Sequence, residues 1–208
     1  GPRLGDCSAP AWKDEYFRFE DVAGNPRPNW TVYGTFSLGR KFDYDPDTKR
    51  FYFYAAGKTF SYDPERRLWE DLKPASDPES QLGGILLWSS ICYDPGQRVF
   101  VLFGGGNLQT ERGDPGTWTY SPRDNRWEQL PIEVQPPPRA NSRLAYDPAS
   151  RKIMLFGGDQ LNRLLADTWT LDVAARRWQQ HSPKVSPAPR AGHALVWLNY
   201  VNRMEMTG

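Results

Sequence analysis

The chain has 208 residues, with 26 Lys and Arg against 25 Asp and Glu, for a net charge of +1. The two signs are interleaved along it, which excludes a basic nucleic-acid field and an acidic solvating tail. An aromatic share of 14% beside 19 Pro and 18 Gly excludes a disordered polar segment and fits an all-β chain of short strands and tight turns.

In chain order, residues 1–36 stand apart from everything that follows. The chain opens on Gly1-Pro2-Arg3 with no signal-peptide segment, so a processed N-terminus is expected. Tyr16-Phe17-Arg18-Phe19-Glu20 alternates like a strand. It reads either as the outer strand of a ring-closing blade or as the last strand of a preceding domain. Gly24 to Pro28 is a loop or linker, and Asn29-Trp30-Thr31 satisfies the N-glycosylation pattern, which chance often produces.

From residue 37 onward the chain repeats. The first copy runs from Tyr44-Asp45-Pro46 to Trp69, with Ala55-Ala56 ending its second strand and a tight turn at Gly57-Lys58. The second holds Tyr93-Asp94-Pro95, Phe103-Gly104-Gly105, Thr117-Trp118-Thr119, Trp127 and Arg139. The third holds Tyr146-Asp147-Pro148, Phe156-Gly157-Gly158, Thr168-Trp169-Thr170, Trp178 and Arg190. Trp118 and Trp169, Trp127 and Trp178, and Arg139 and Arg190 are each 51 residues apart. A fourth copy starts at residue 191: His193 falls on Ser142, and Gly208 on Gly157.

A period near ~50 residues with a glycine pair and spaced Trp is the signature of a four-stranded propeller blade. Each copy reads as strand, Asp-Pro turn, apolar strand, glycine pair, polar loop, Thr-Trp strand, short turn and Trp-bearing outer strand. Strands are expected over Arg98 to Phe103, Thr117 to Tyr120, Lys152 to Phe156 and Thr168 to Leu171, with no helix beyond two turns. The blades fall at about 37–88, 89–139 and 140–190, with the start of a fourth at 191–208. Roughly four to eight blades close a ring, so this is expected to be part of a longer protein.

The recurring Tyr-Asp-Pro, Phe-Gly-Gly, Thr-Trp-Thr, Trp and Pro-Arg elements resemble kelch-repeat β-propellers of the bacterial type, in the galactose-oxidase-like propeller superfamily. The resemblance covers residues 37–208. It implies an all-β kelch-type propeller, an inclination to bind proteins or glycans, and an extracytoplasmic or secreted location. It also implies recognition on the face built from second-to-third-strand loops and links between blades, namely Gly106 to Gly116, Asp159 to Asp167, Gln135 to Arg143 and Pro187 to His193. Kelch propellers share a fold without sharing an activity.

The candidate binding residues lie in those segments: Gln109, Arg112, Asn141, Arg143, Gln160, Asn162, Arg163 and His193. Variable loops on a rigid scaffold are where recognition concentrates. Tyr44, Tyr93, Tyr146, Gly104, Gly105, Gly157, Gly158, Trp118, Trp127, Trp169 and Trp178 are scaffold positions, because they recur. Arg139 and Arg190 read as inter-blade hydrogen-bond donors, and the rival reading is a guanidinium ring for carboxylates or sulfates. Trp12, Trp88 and Trp197 are candidates for stacking on sugars, against a packing role.

No catalytic constellation, metal site or cofactor is implied. Two histidines, His181 and His193, are too few for a metal centre. Two cysteines, Cys7 and Cys92, form one bridge or remain two thiols, and they exclude a disulfide scaffold. Cys92 beside Tyr93 resembles the cysteine–tyrosine pair of galactose oxidase, but Tyr93 is the repeat's scaffold tyrosine. The longest apolar run, residues 83–88, is too short to span a bilayer. The sequence therefore points to a non-catalytic module that binds a protein or an acidic glycan, with no nucleic acid and no membrane span. The alternatives are a fragment of a carbohydrate-active or oxidase-type enzyme and a structural propeller within an assembly.

Overall fold

The computed structural model describes residues 42–208, except 56, 85, 108–111, 114–115 and 161–162. The readings on residues 1–36, Cys7, Trp12, Gln109 and Asn162 lie outside the described residues. Three antiparallel four-stranded sheets follow one another along the chain. The first is β1 (Phe42–Asp45), β2 (Arg50–Ala55), β3 (Lys58–Asp63) and β4 (Leu68–Asp71). A link carrying the short helix α1 (Pro78–Leu82) and β5 (Leu86–Leu87) leads to the second. That sheet is β6 (Ser90–Asp94), β7 (Val99–Phe103), β10 (Thr117–Ser121) and β11 (Arg126–Gln129). Between its middle strands lie β8 (Gly106–Asn107) and β9 (Arg112–Gly113).

The third sheet is β12 (Arg143–Asp147), β13 (Lys152–Phe156), β16 (Thr168–Asp172) and β17 (Arg177–His181). It carries a hairpin of β14 (Asp159–Gln160) and β15 (Arg163–Leu164) in the same place. β18 (Ala194–Leu198) pairs with β19 (Arg203–Thr207). The first strands β1, β6, β12 and β18 lie side by side in that order, so the sheets stack as the blades of a propeller.

Local chemistry explains why each hairpin closes where it does. In the Tyr-Asp-Pro segments the Asp side chain accepts a backbone N–H two residues on, as an Asx-turn. Asp45 takes that of Asp47 at 2.9 Å, Asp94 that of Gly96 at 2.8 Å, and Asp147 that of Ala149 at 2.9 Å. The turn then ends on a residue of positive φ: Lys49 at 55°, Arg98 at 56° and Arg151 at 56°. Arg98 therefore closes a turn, and the strand expected from Arg98 begins at Val99.

The glycine pair is demanded by close approach of the next link. Gly104 and Gly157 have φ of 74° and 62°, and a Cβ on either would stand 2.5 Å from the carbonyl oxygen of Arg139 or Arg190. No side chain fits there. The second glycine's N–H donates to that same carbonyl, Gly105 to Arg139 and Gly158 to Arg190, each at 2.8 Å.

The core lies between sheets rather than within them. Tyr52, Tyr54, Phe100, Leu102, Trp118, Tyr120 and Trp127 fill the space between the first two. Phe103, Leu144, Ile153, Leu155, Trp169, Leu171 and Trp178 fill the next. Each large apolar side chain buried this way contributes about 1.5–3 kcal/mol. The outer-strand tryptophans pack as equivalents, but against the preceding blade as well as their own. Trp127 meets Tyr120 at 5.2 Å and Tyr54 of the first sheet at 4.9 Å, and Trp178 meets Phe103 of the second at 5.2 Å. Their indole N–H groups donate backwards too, Trp127 to Thr59 Oγ1 at 2.8 Å and Trp178 to Thr117 Oγ1 at 2.9 Å. Each is a bolt through two blades.

The scaffold tyrosines hold equivalent registers, Tyr44 opposite Phe51, Tyr93 opposite Phe100 and Tyr146 opposite Ile153. Cys92 and Tyr93 are neighbours on a strand, so their side chains leave on opposite faces. Cys92 joins the core between the second and third sheets and Tyr93 the core between the first and second. Burial, then the nearby Asp43 carboxylate, pushes the Cys92 thiol well above its ordinary range.

Candidate interaction face

Every blade has two ends. At one end lie the Asp-Pro turns and the short turns between third and fourth strands. At the other lie the second-to-third-strand loops and the links to the next blade. Segments read as loops from sequence gain structure at this second end. In the second blade, β8 pairs with β9 and with β5 of the incoming link, with Leu87 opposite Gly106. In the third, β14 pairs with β15, and Ala140 of the incoming link bridges Asp159 through hydrogen bonds of 3.0 and 2.9 Å. The first blade has nothing comparable, because Ala55 pairs directly with Lys58 across a two-residue turn.

These raised hairpins stand on a rigid floor. Asn141 N donates to Trp88 O and Gly192 N to Asn141 O, each at 2.9 Å, so successive links are stitched together. Trp88, Asn141 and Gly192 all have positive φ at this equivalent step. The Trp88 ring is half-buried and lies over Gly106. Arg139 is a main fastening. Its guanidinium, fully shielded from solvent, grips Asp167 through two bonds of 2.6 and 2.8 Å and donates to Gly157 O at 3.0 Å. Arg190 repeats the second contact on Gly208 O at 3.0 Å. Burial pushes the Asp167 carboxyl up, but Arg139 and the Trp169 indole N–H outweigh it and hold it below the ordinary carboxylate range. Arg139 and Arg190 thus each reach a carbonyl of the following blade, and Arg139 presents no free guanidinium to a ligand.

The candidate residues separate by what they already hold. Asn141 Nδ2 donates to Asp159 Oδ1 at 2.9 Å, and Gln160 Nε2 donates to Pro138 O at 2.9 Å. Both fasten the third blade's hairpin to its incoming link. Arg143 is buried at the start of β12, and its Nη1 donates to Ser142 O at 2.9 Å. His193 is 2% exposed, edge-on to Phe156 at 5.6 Å. Burial, then the Arg143 and Arg190 charges, lowers its pKa to about 4, so it is neutral at physiological pH. Arg112 lies on β9, and Arg163 is exposed on β15.

Three apolar side chains that sequence reading passed over accompany Arg163 at this end. Leu164 is 52% exposed, and Val134 and Val185, at matching places in successive Pro-rich links, are 65% and 88% exposed. Their repetition 51 residues apart was the available signal. Among the described residues no cluster of three His, Cys, Asp or Glu is placed to hold a metal ion. A cleft of about 560 Å³ opens at the opposite, turn end, lined by Asp45, Asp47, Tyr93, Arg98, Arg123 and Arg126 among others.

Four-stranded radial sheets, inter-blade tryptophans and glycine pairs under the next link define a β-propeller of the kelch type. The model of the KLHDC2/KLHL20/DRC7 Kelch-repeats domain matches residues 54–208, and the chain belongs to that family. It is also similar to acyl-CoA-binding domain-containing protein 5 of Arabidopsis thaliana, 32% identical over 73 residues. That match covers 35% of this chain and 11% of the relative.

Proposed function

We propose that the chain is a protein-binding module that takes a polypeptide segment on its loop end, between the raised hairpins of the second and third blades. Kelch repeats are typically protein-binding, which supports the general class. The observation that carries the finer reading is the pairing of exposed Arg163 and Leu164 on a hairpin that is itself fastened by Asn141, Gln160 and the Arg139–Asp167 pair. A fastened hairpin loses little conformational freedom on binding, so its contacts are spent on affinity. Arg163 suits a carboxylate through paired N–H donors. Leu164, Val134 and Val185 add apolar area that favours a polypeptide over a glycan.

The test is a peptide-display selection on the full chain, followed by titration calorimetry with Arg163→Ala plus Leu164→Ala. A selected peptide should contain a carboxylate beside an apolar residue, and the double variant should bind it at least about tenfold more weakly. Unchanged binding by the double variant, or hits confined to a glycan array, would overturn the proposal.

A further inference from the structure

The turn end of the blades is built differently from the loop end, and its chemistry is not accounted for by polypeptide recognition. Seven non-glycine residues close hairpins there with φ between 47° and 56°: Lys49, Arg67, Arg98, Asn125, Arg151, Arg176 and Asn202. This left-handed region favours Gly and Asn and is uncommon for other residues. Five of the seven positions nevertheless carry Lys or Arg. A long cation held repeatedly in a conformation it disfavours points to a use for the charge.

The exposed charges at this end are mostly basic, set against exposed Asp47, Glu65 and Asp124 on the same turns. Lys49, Arg67 and Arg151 are exposed and make no ion pair with any described residue, and the same holds for Arg66, Arg123, Arg126 and Arg177 beside them. Arg98 is paired with Asp47 at 3.0 Å, and Arg176 approaches Glu128 only to 3.9 Å. The Asp45 and Asp94 carboxylates are buried and turned inward onto the backbone N–H groups of their own turns. The cations therefore project outward from the hairpin ends, while these two acids point into the scaffold. Tyr200, 83% exposed, and the exposed Val201 project from the β18–β19 turn at the same end.

We infer that the turn end is a docking surface for an anionic lipid bilayer. The cations sit on hairpin ends at two distances from the first strands, forming a spread array rather than a lined groove that a nucleic-acid strand would follow. The 560 Å³ cleft at this end mixes Arg98, Arg123 and Arg126 with Asp45, Asp47 and Asp124, and so offers no single-sign track. An area of spaced Lys and Arg is attracted to anionic headgroups within a Debye length. An exposed Tyr beside an aliphatic residue suits the headgroup level. Among the described residues no helix is long and apolar enough to cross a membrane, so the association is peripheral.

The experiment is co-sedimentation of the full chain with vesicles of phosphatidylcholine alone and of phosphatidylcholine mixed with phosphatidylserine. Binding is expected only to the mixed vesicles, and salt should weaken it. Replacing Lys49, Arg67, Arg98, Arg151 and Arg176 by Asn removes the charge while relieving the backbone. That variant should melt no lower than the parent yet lose at least about a thousandfold in vesicle affinity, at about fivefold for each of the five cations. Lys49→Asn alone should weaken binding a few-fold, and Lys184→Asn, on a loop-end link, should not. Equal binding to neutral vesicles, no vesicle binding, or an unchanged quintuple variant would each overturn the inference. So would a preference for RNA or an acidic polypeptide when either competes with the vesicles.

Discussion

The first and third blades share four strands, one register and the same Asx-turns, yet they differ at the loop end. The third blade raises a hairpin, fastens it with Asn141 and Gln160, and locks its base with Arg139 on Asp167. The first crosses from β2 to β3 in two residues, and its outgoing link is held instead by a capped helical turn. There Tyr54 Oη donates to Asp77 Oδ1 at 2.8 Å and accepts from Glu79 N at 3.0 Å. The difference teaches that blade stacking is set by strands and bolts, while the loop end varies so long as its backbone groups are satisfied.

The most severe way to break this comparison is to remove the lock. Arg139→Ala leaves Asp167 half-buried without its guanidinium and should cost about 3–5 kcal/mol in denaturant unfolding. Asp167 is held below its ordinary pKa, so its contribution is present above that ordinary value and is lost as pH falls through the folded one. The penalty of the variant should therefore shrink in acid. A pH-independent loss would mean that Arg139 acts through packing alone.

The inter-blade bolts follow, tying the first blade to the second and the second to the third. Trp178→Ala should cost about 3–5 kcal/mol. Thr117→Val, which leaves the buried indole N–H without its acceptor, should cost about 1–3 kcal/mol. The same pair of changes at Trp127 and Thr59 should give matching losses. A near-neutral Trp178→Ala would show that the outer strand is not anchored through the preceding blade.

The smallest effect sharpens the equivalence of Ser142 and His193. His193 has its folded pKa lowered to about 4 from an ordinary 6.5, so its contribution is complete above about pH 6.5 and declines as pH falls toward 4. His193→Ser, adopting the residue of the preceding blade, should flatten the loss of stability between pH 7 and pH 5 by about 1–2 kcal/mol. An unaltered pH profile would place the titrating group elsewhere.

The sequence alone determined the repeat. Glycine pairs, Asp-Pro turns and spaced tryptophans are local requirements, since each is dictated by backbone conformation or by one strand's register, and local requirements recur wherever the element recurs. That is why β7, β10, β13 and β16 were legible to within a residue, and why Arg98 was misplaced only by a turn conformation that a long cation rarely adopts. Tertiary structure decided what each polar side chain does. Asn141, Gln160, Arg143 and His193 have the composition of ligand-binding residues, but neighbours distant in sequence bury them or take their hydrogen bonds. Arg163 keeps its freedom because its hairpin turns it to solvent. The same holds at the turn end, where interleaved charges averaged to near zero along the chain. Hairpin ends gathered cations on one side while Asx-turns drew Asp45 and Asp94 inward, a separation that depends on which way each side chain points.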